Sequence, residues 1–172
     1  MHIVIDGYNL IRQSSYFGAL DQQELQAGRD ALVDALAAYK RVKGFAITVV
    51  FDAQSAPLGM PRRDRIKGID VYYSRQGELA DAVIKRMADR EKDRMTVVSS
   101  DNEVIRYAAA KGAGIISADE FEKRILMARM MDIKGGDESE ASMGWQPSTR
   151  KTGPSRRLSK RQRKMKQKIA KL

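Results

Sequence analysis

His2-Ile3-Val4-Ile5-Asp6-Gly7-Tyr8-Asn9-Leu10-Ile11 is an apolar run that stops at an aspartate, turns at a glycine and presents an asparagine amide. The same punctuation recurs twice along the chain. Phe45 to Phe51 ends at Asp52, and Met95 to Val98 leads through Ser99 and Ser100 to Asp101. In a parallel sheet such strands deliver their acidic ends to one common edge, where open α/β folds place their ligands. Carboxylates gathered at that edge suggest a hard divalent cation.

Working outward, Leu25, Leu32, Leu36 and Tyr39 recur at helical spacing after a polar loop, and Asp21 and Glu24 stand in capping-box spacing before them. The next strand ends at Asp52. It is followed by a loop broken by Pro57, Gly59 and Pro61 and made basic by Arg62, Arg63, Arg65 and Lys67, expected to overhang the acidic edge. A short strand, Ile69 to Tyr73, leads to a helix starting near Glu78 with Leu79, Ala82, Val83 and Met87 on its apolar side. After Met95 to Val98 come a helix from Asn102 to Lys111, a strand Gly114 to Ile116 and a helix from Asp119 to about Met131. Strands alternating with helices imply an α/β fold: a parallel sheet of about five strands with helices on both faces.

The expected organisation is a domain over residues 1–131, a linker over 132–154 rich in Gly, Ser and acids, and a basic, helix-compatible arm over 155–172. Trp145, the only tryptophan, sits in the linker and is expected to dock back on the domain. In the arm, Leu158, Met165, Ile169 and Leu172 fall on one side of a helix that would fold on a partner.

Charge separates these parts. Of 32 Lys and Arg, 11 fall in residues 150–172 with no acid among them, which leaves 21 bases against 22 acids in residues 1–149. The body is nearly neutral and the tail is an arm for a polyanion. Arg156, Arg157, Lys160, Arg161, Arg163 and Lys164 are its candidate contacts to nucleic-acid phosphates, joined by Arg62, Arg63 and Arg65. With no cysteine and one histidine, His2, the chain offers neither a thiolate metal site nor a catalytic thiol, and a multi-histidine zinc site or a Ser-His-Asp triad is set aside. Neither a signal-peptide pattern nor an apolar stretch of about 20 residues is present, so a soluble, cytoplasmic protein without a membrane partner is expected. No phosphate-cradling glycine loop follows the first strand, so no nucleotide cofactor is expected.

Taken singly, each aspartate has a structural use: Asp6-Gly7 as a turn pair, Asp52 as a strand end, Asp101 in the first turn of a helix capped by Ser100 and Glu103, and Asp81 in a first turn favoured by the macrodipole. Jointly, four carboxylates at one edge repel one another unless a cation neutralises them. Oxygen ligands suit Mg2+ or Mn2+, which work on phosphate esters without any histidine. Asn9 fits as a neutral donor to a water or phosphate, and Glu78, three residues before Asp81, is a reserve ligand.

The elements IDGYNLI (5–11), TVVFDA (48–53), VYYSRQGELADAVI (71–84), VVSSDNEVI (97–105) and GIISADEFEKRI (114–125), in this order, resemble the NYN-domain proteins of the PIN-like nuclease superfamily, in particular the bacterial YacP-like branch. The resemblance runs from His2 to about Met131, and the arm resembles the basic ends of that branch. It implies a Rossmann-like PIN/NYN fold and metal-dependent endoribonuclease activity, with Asp6, Asp81 and Asp101 as the acidic set, Asn9 at the NYN asparagine position and Asp52 at the acidic position after the second strand. Ala82 departs from the pattern where relatives carry a second acid, which favours a single ion. The expected substrate is single-stranded RNA, messenger or ribosomal, with the arm docking on it or on the ribosome. The rival expectation is an RNA-binding or ribosome-associated module without turnover. A metal-dependent phosphatase is less consistent, because it leaves the arm without a use.

Overall fold

In the computed structural model, which describes residues 1–53, 61–134, 167, 169 and 170, the opening run becomes the strand β1 (His2–Asp6). It lies between β2 (Ala46–Phe51) and β5 (Met95–Val98), parallel to both. Beyond β2 come β4 (Ile69–Tyr73), parallel, and β3 (Arg63–Ile66), antiparallel; beyond β5 comes β6 (Gly114–Ile116), parallel. The order is β3-β4-β2-β1-β5-β6. From β1 the chain builds outward through β2 and β4, then crosses back to β5 and β6. The reversal point is the crevice between β1 and β5, where open α/β sheets bind ligands at the carboxyl ends of their strands.

Alternation along β1 feeds two cores. Ile3 and Ile5 face α1 (Gly7–Gln13), α2 (Ser15–Gln23), α3 (Leu25–Lys43) and α6 (Ala118–Lys134), among Leu32, Leu36, Tyr39, Phe121 and Ile125. Val4 faces α4 (Ala80–Glu91) and α5 (Asn102–Lys111), among Val50, Ile84, Met87, Val97 and Val104. Each such fully buried aliphatic side chain contributes about 1.5–3 kcal/mol by leaving water. Gly44 (φ 70°) and Gly112 (φ 96°) end α3 and α5 in the left-handed conformation.

Four expectations are corrected by this architecture. The sheet has six strands, because Arg63–Ile66, read as loop, pairs with β4 through the two-residue turn Lys67-Gly68, both at positive φ (51° and 83°). Its RDRI sequence lacks apolar alternation because an outer edge strand is kept charged. The polar loop after β1 is two short helices, α1 and α2, whose Tyr8, Leu10, Ile11 and Phe17 are buried and whose stability comes from packing rather than from length. Asp21 therefore lies inside α2, and Glu24 begins α3 without a side-chain cap. At α5 the capping residue is Asp101, while Ser100 Oγ accepts from the Ala118 N–H (3.2 Å).

α6 runs on to Lys134. The loop with Pro57 and Gly59, the rest of the linker with Trp145, and the arm apart from Gln167, Ile169 and Ala170 lie outside the described residues. Those three arm residues are helical, and Arg124 donates to the Ile169 carbonyl (2.5 Å). Among the described residues no helix is long and apolar enough to cross a membrane.

The turn from β1 into α1 leaves no space for a side chain. A Cβ on Gly7 would fall 2.3 Å from Phe51 Cε1 and 2.5 Å from Cδ1, and Phe51 is itself packed edge-on against Tyr8. Gly7→Ala is expected to cost about 1–3 kcal/mol through overpacking. A chemical-denaturation midpoint indistinguishable from wild type would show that Phe51 can move aside.

Candidate active site

Four aspartates meet at the carboxyl edge of the sheet, and helix geometry explains each position. Asp6 ends β1 and caps α1, its carboxylate accepting from the Asn9 N–H (3.1 Å). Asp101 follows β5 and caps α5, accepting from the N–H groups of Glu103 (2.7 Å) and Val104 (3.1 Å). Asp52 follows β2 and accepts from the Ala80 N–H (2.6 Å), supplying from another strand the cap that Leu79 cannot give α4. Asp81 lies in the first turn of α4. Helix N-termini carry partial positive charge and unpaired N–H groups, which is how one edge tolerates so many carboxylates.

The four line one pocket with Tyr8, Asn9, Arg12 and Gln13. Asp6 is buried, at 7% exposure, and its pKa is pushed up to about 6, first by burial and then by the charges of Asp81, Asp52 and Asp101, against the lowering effect of the Asn9 N–H. Asp81 is also raised, by burial first and by Asp101 next. Negative charge here exceeds what the pocket compensates. Asn9 spans the β1–β5 crevice: its side-chain oxygen accepts from the Ser100 N–H (2.8 Å), which leaves its NH2 group to the pocket.

This donor set, all oxygen, fits a hard divalent ion by its chemistry. It does not form a closed protein cage. Among the described residues no three His, Cys, Asp or Glu side chains are grouped to hold one ion. An ion would therefore be held by one or two carboxylates and keep several of its waters, the usual mode for magnesium. Glu78 is not available as a reserve: it pairs with Arg86, accepts from the Arg75 N–H (3.1 Å), and is held down at about 2 by those partners, Arg86 foremost.

The basic residues read from sequence separate into three groups. Arg62 and Arg63 do not overhang the acidic pocket, because β3 lies at the outer edge of the sheet; they line a cleft beside α4. Arg65 pairs with Asp70 on the exposed hairpin (3.7 Å). Arg156, Arg157, Lys160, Arg161, Arg163 and Lys164 lie outside the described residues.

Arg12 is the site residue that sequence reasoning missed. It lines the acidic pocket and sits over the Tyr8 ring (5.6 Å), while Tyr8 Oη accepts from the buried Arg29 (2.9 Å). The signal was the spacing Tyr8/Arg12 and Asn9/Gln13, four residues apart. It becomes visible only once residues 7–13 are read as a helix.

The chain matches the family model described as the YacP-like NYN domain over residues 3–171. It is 28% identical over 86 residues to the "Uncharacterized protein YacP" of Bacillus subtilis (strain 168), a match covering 50% of each chain. The chain thus spans about half the length of the curated relative it matches. The crystal structure of Rae1 (YacP) from Bacillus subtilis superposes with a TM-score of 0.69 at 23% identity over 79% of both chains. A mutant form of the same protein gives 0.63 at 24% identity over 76% of this chain and 77% of that one. At such identities the likeness shows the fold, which is PIN-like. With the family model spanning almost the whole length, the chain belongs to the YacP-like NYN domain family, which is nuclease-like.

Proposed function

We propose that the protein is a metal-dependent endoribonuclease that cuts single-stranded RNA. One observation carries the reading: four carboxylates are seated on three helix N-termini at the reversal point of the sheet, and burial, with the charges of the other three added to it, raises Asp6 to about 6. Asp6, Asp81 and Asp101 would hold the ion directly or through its waters, with Asp52 in support. Bound there, Mg2+ or Mn2+ supplies an activated water and positive charge for the oxyanions of an in-line displacement. The Asn9 NH2 donates to a phosphate oxygen, which adds no charge to an already acidic pocket. Arg12 neutralises a phosphate beside the cut. The basic arm adds affinity for messenger or ribosomal RNA that does not depend on sequence.

A second reading has its own support. Asp6, Asp52 and Asp101 all cap helix N-termini and, among the described residues, no three acids form a ligand group, which suits an RNA-binding or ribosome-associated module without turnover. End-labelled single-stranded RNA incubated with Mn2+, with and without EDTA, separates the two. Fragments with Mn2+ and none with EDTA are expected. RNA retained on the protein yet uncut under both conditions would give the second reading the site.

A further inference from the structure

Outside the acidic pocket, a strongly charged cleft of about 850 Å3 lies between the β3–β4 hairpin and α4. Arg62 and Arg63 line it from the hairpin side, Arg75 from just past β4, and Arg86 and Arg90 from α4. Val83 and Met87, on the same flank of α4, supply its apolar wall. Among the described residues only one acid lines it, Asp89, and that carboxylate is already bound by Lys111 (2.7 Å) and Tyr107 Oη (2.9 Å). Of the five guanidiniums, Arg86 is paired with Glu78, whose carboxylate also feels the charge of Arg75; Arg62, Arg75 and Arg90 form no ion pair within the described residues. Five arginines around one cleft, in a body whose charges nearly cancel, amount to a local positive field of the kind that gathers polyanions.

We propose that this cleft is a second nucleic-acid site, holding the phosphates of single-stranded RNA that extends away from the acidic pocket; the proposal rests on the ribonuclease reading above. Arginine is the side chain suited to it, since its fork pairs with phosphate oxygens bidentately. The Arg63 guanidinium lies over the Tyr72 ring (4.6 Å), and a guanidinium so held is a plane on which an unpaired base stacks. The location fits as well. The Ser74 N–H donates to the Phe51 carbonyl (2.9 Å) and the Tyr73 N–H to the Arg62 carbonyl (2.9 Å), so the end of β4 that leads to Arg75 lies one strand beyond Asp52 and Arg62 one strand further out. A strand leaving the acidic pocket past Asp52 meets Arg62 and Arg75 next. Along α4, Arg86 and Arg90 are on the flank toward the hairpin, whereas Asp81 and Lys85 are on the flank toward α5, where Lys85 pairs with Glu103. One helix thus divides the acidic site from the basic cleft.

The test measures binding of a fluorescein-labelled single-stranded RNA to the full chain in EDTA, by anisotropy at several salt concentrations, so that cleavage plays no part. Arg75→Ala/Arg90→Ala removes two exposed charges and no ion pair. If each contacts one phosphate, the slope of log K against log[salt] becomes shallower by about 1.4, and affinity at 0.1 M salt falls roughly 25-fold, at about 0.7 per contact. The charge-matched variant Arg94→Ala/Lys123→Ala, altered outside the cleft, is expected to keep the wild-type slope. Equal slopes for the cleft variant and wild type would overturn the proposal while leaving the nuclease reading untouched. So would a loss confined to a poly-glutamate peptide, which would assign the cleft to an acidic protein surface. A wild-type chain with no RNA affinity would remove the cleft and the nuclease reading together.

Discussion

Asp6→Asn is expected to raise the melting temperature at pH 7 by roughly 6–12 °C and to abolish cleavage. Folding takes this carboxyl from 3.8 to about 6, so the folded chain binds more protons than the unfolded chain between those values. The group's contribution is therefore most favourable below pH 3.8 and is lost as pH rises through 6. Above that, the ionised carboxylate costs up to about 3 kcal/mol at 1.36 kcal/mol per pH unit. For a chain of this size each kcal/mol corresponds to about 2–4 °C. Asparagine keeps an oxygen for the Asn9 N–H and removes the charge. Two further observations discriminate. The stability gap between variant and wild type should close as pH falls toward 4, and Mg2+ should stabilise wild type more than the variant, because a ligand raises the stability of the state that binds it. Cleavage should drop more than about 100-fold, since even an outer-shell partner is worth about 10- to 100-fold in metal affinity. A variant that melts lower than wild type at pH 7 would mean that the Asp6 charge is needed to cap α1 and that its repulsion by the other three carboxylates is minor.

How the acidic edge assembles was legible in the sequence, because the strands that carry Asp6, Asp52 and Asp101 are apolar runs ended by acids. Their common direction follows from the helices between them. What stayed hidden has physical reasons. Asp52 acts through space on α4, accepting from Ala80 28 residues away, and local spacing holds no trace of that. Arg12 and Gln13 reach the pocket from a single short helix whose sequence, GYNLIRQ, has no propensity signal strong enough to outvote a turn. β3 was concealed because an exposed edge strand is selected for charge, and its Lys-Gly turn resembles ordinary loop chemistry. Arg62 and Arg63 were rightly singled out as basic, but reading them as a loop placed them over the wrong part of the sheet. With Arg63 in β3 beside Tyr72, and Arg62 just before it accepting from the Tyr73 N–H, they belong to the cleft. Glu78 shared Asp81's spacing, yet Arg86, eight residues on, captured it.

The widest separation between activity and stability is expected at Asp101, where two substitutions remove the same charge and differ in one bond set. Asp101→Asn keeps an oxygen for Glu103 and Val104, whose N–H groups the aspartate binds at 2.7 and 3.1 Å. Asparagine is as good an N-cap as aspartate, and the macrodipole attraction it gives up, about 0.3–1 kcal/mol, is offset by relief of repulsion with Asp6 and Asp81. Its stability should lie within about 0.5 kcal/mol of wild type. Asp101→Ala loses the cap and should cost about 0.5–2 kcal/mol, because Val104 is fully buried and the first turn of α5 is pinned to the core through it. Both variants should lose cleavage alike, by more than about 100-fold, if the carboxylate serves an ion. Urea denaturation and single-turnover cleavage, run on both proteins, read the two roles apart. Should the asparagine variant cut RNA at the wild-type rate while the alanine variant is only less stable, Asp101 would be a helix cap alone, and the ion would be left to Asp6 and Asp81.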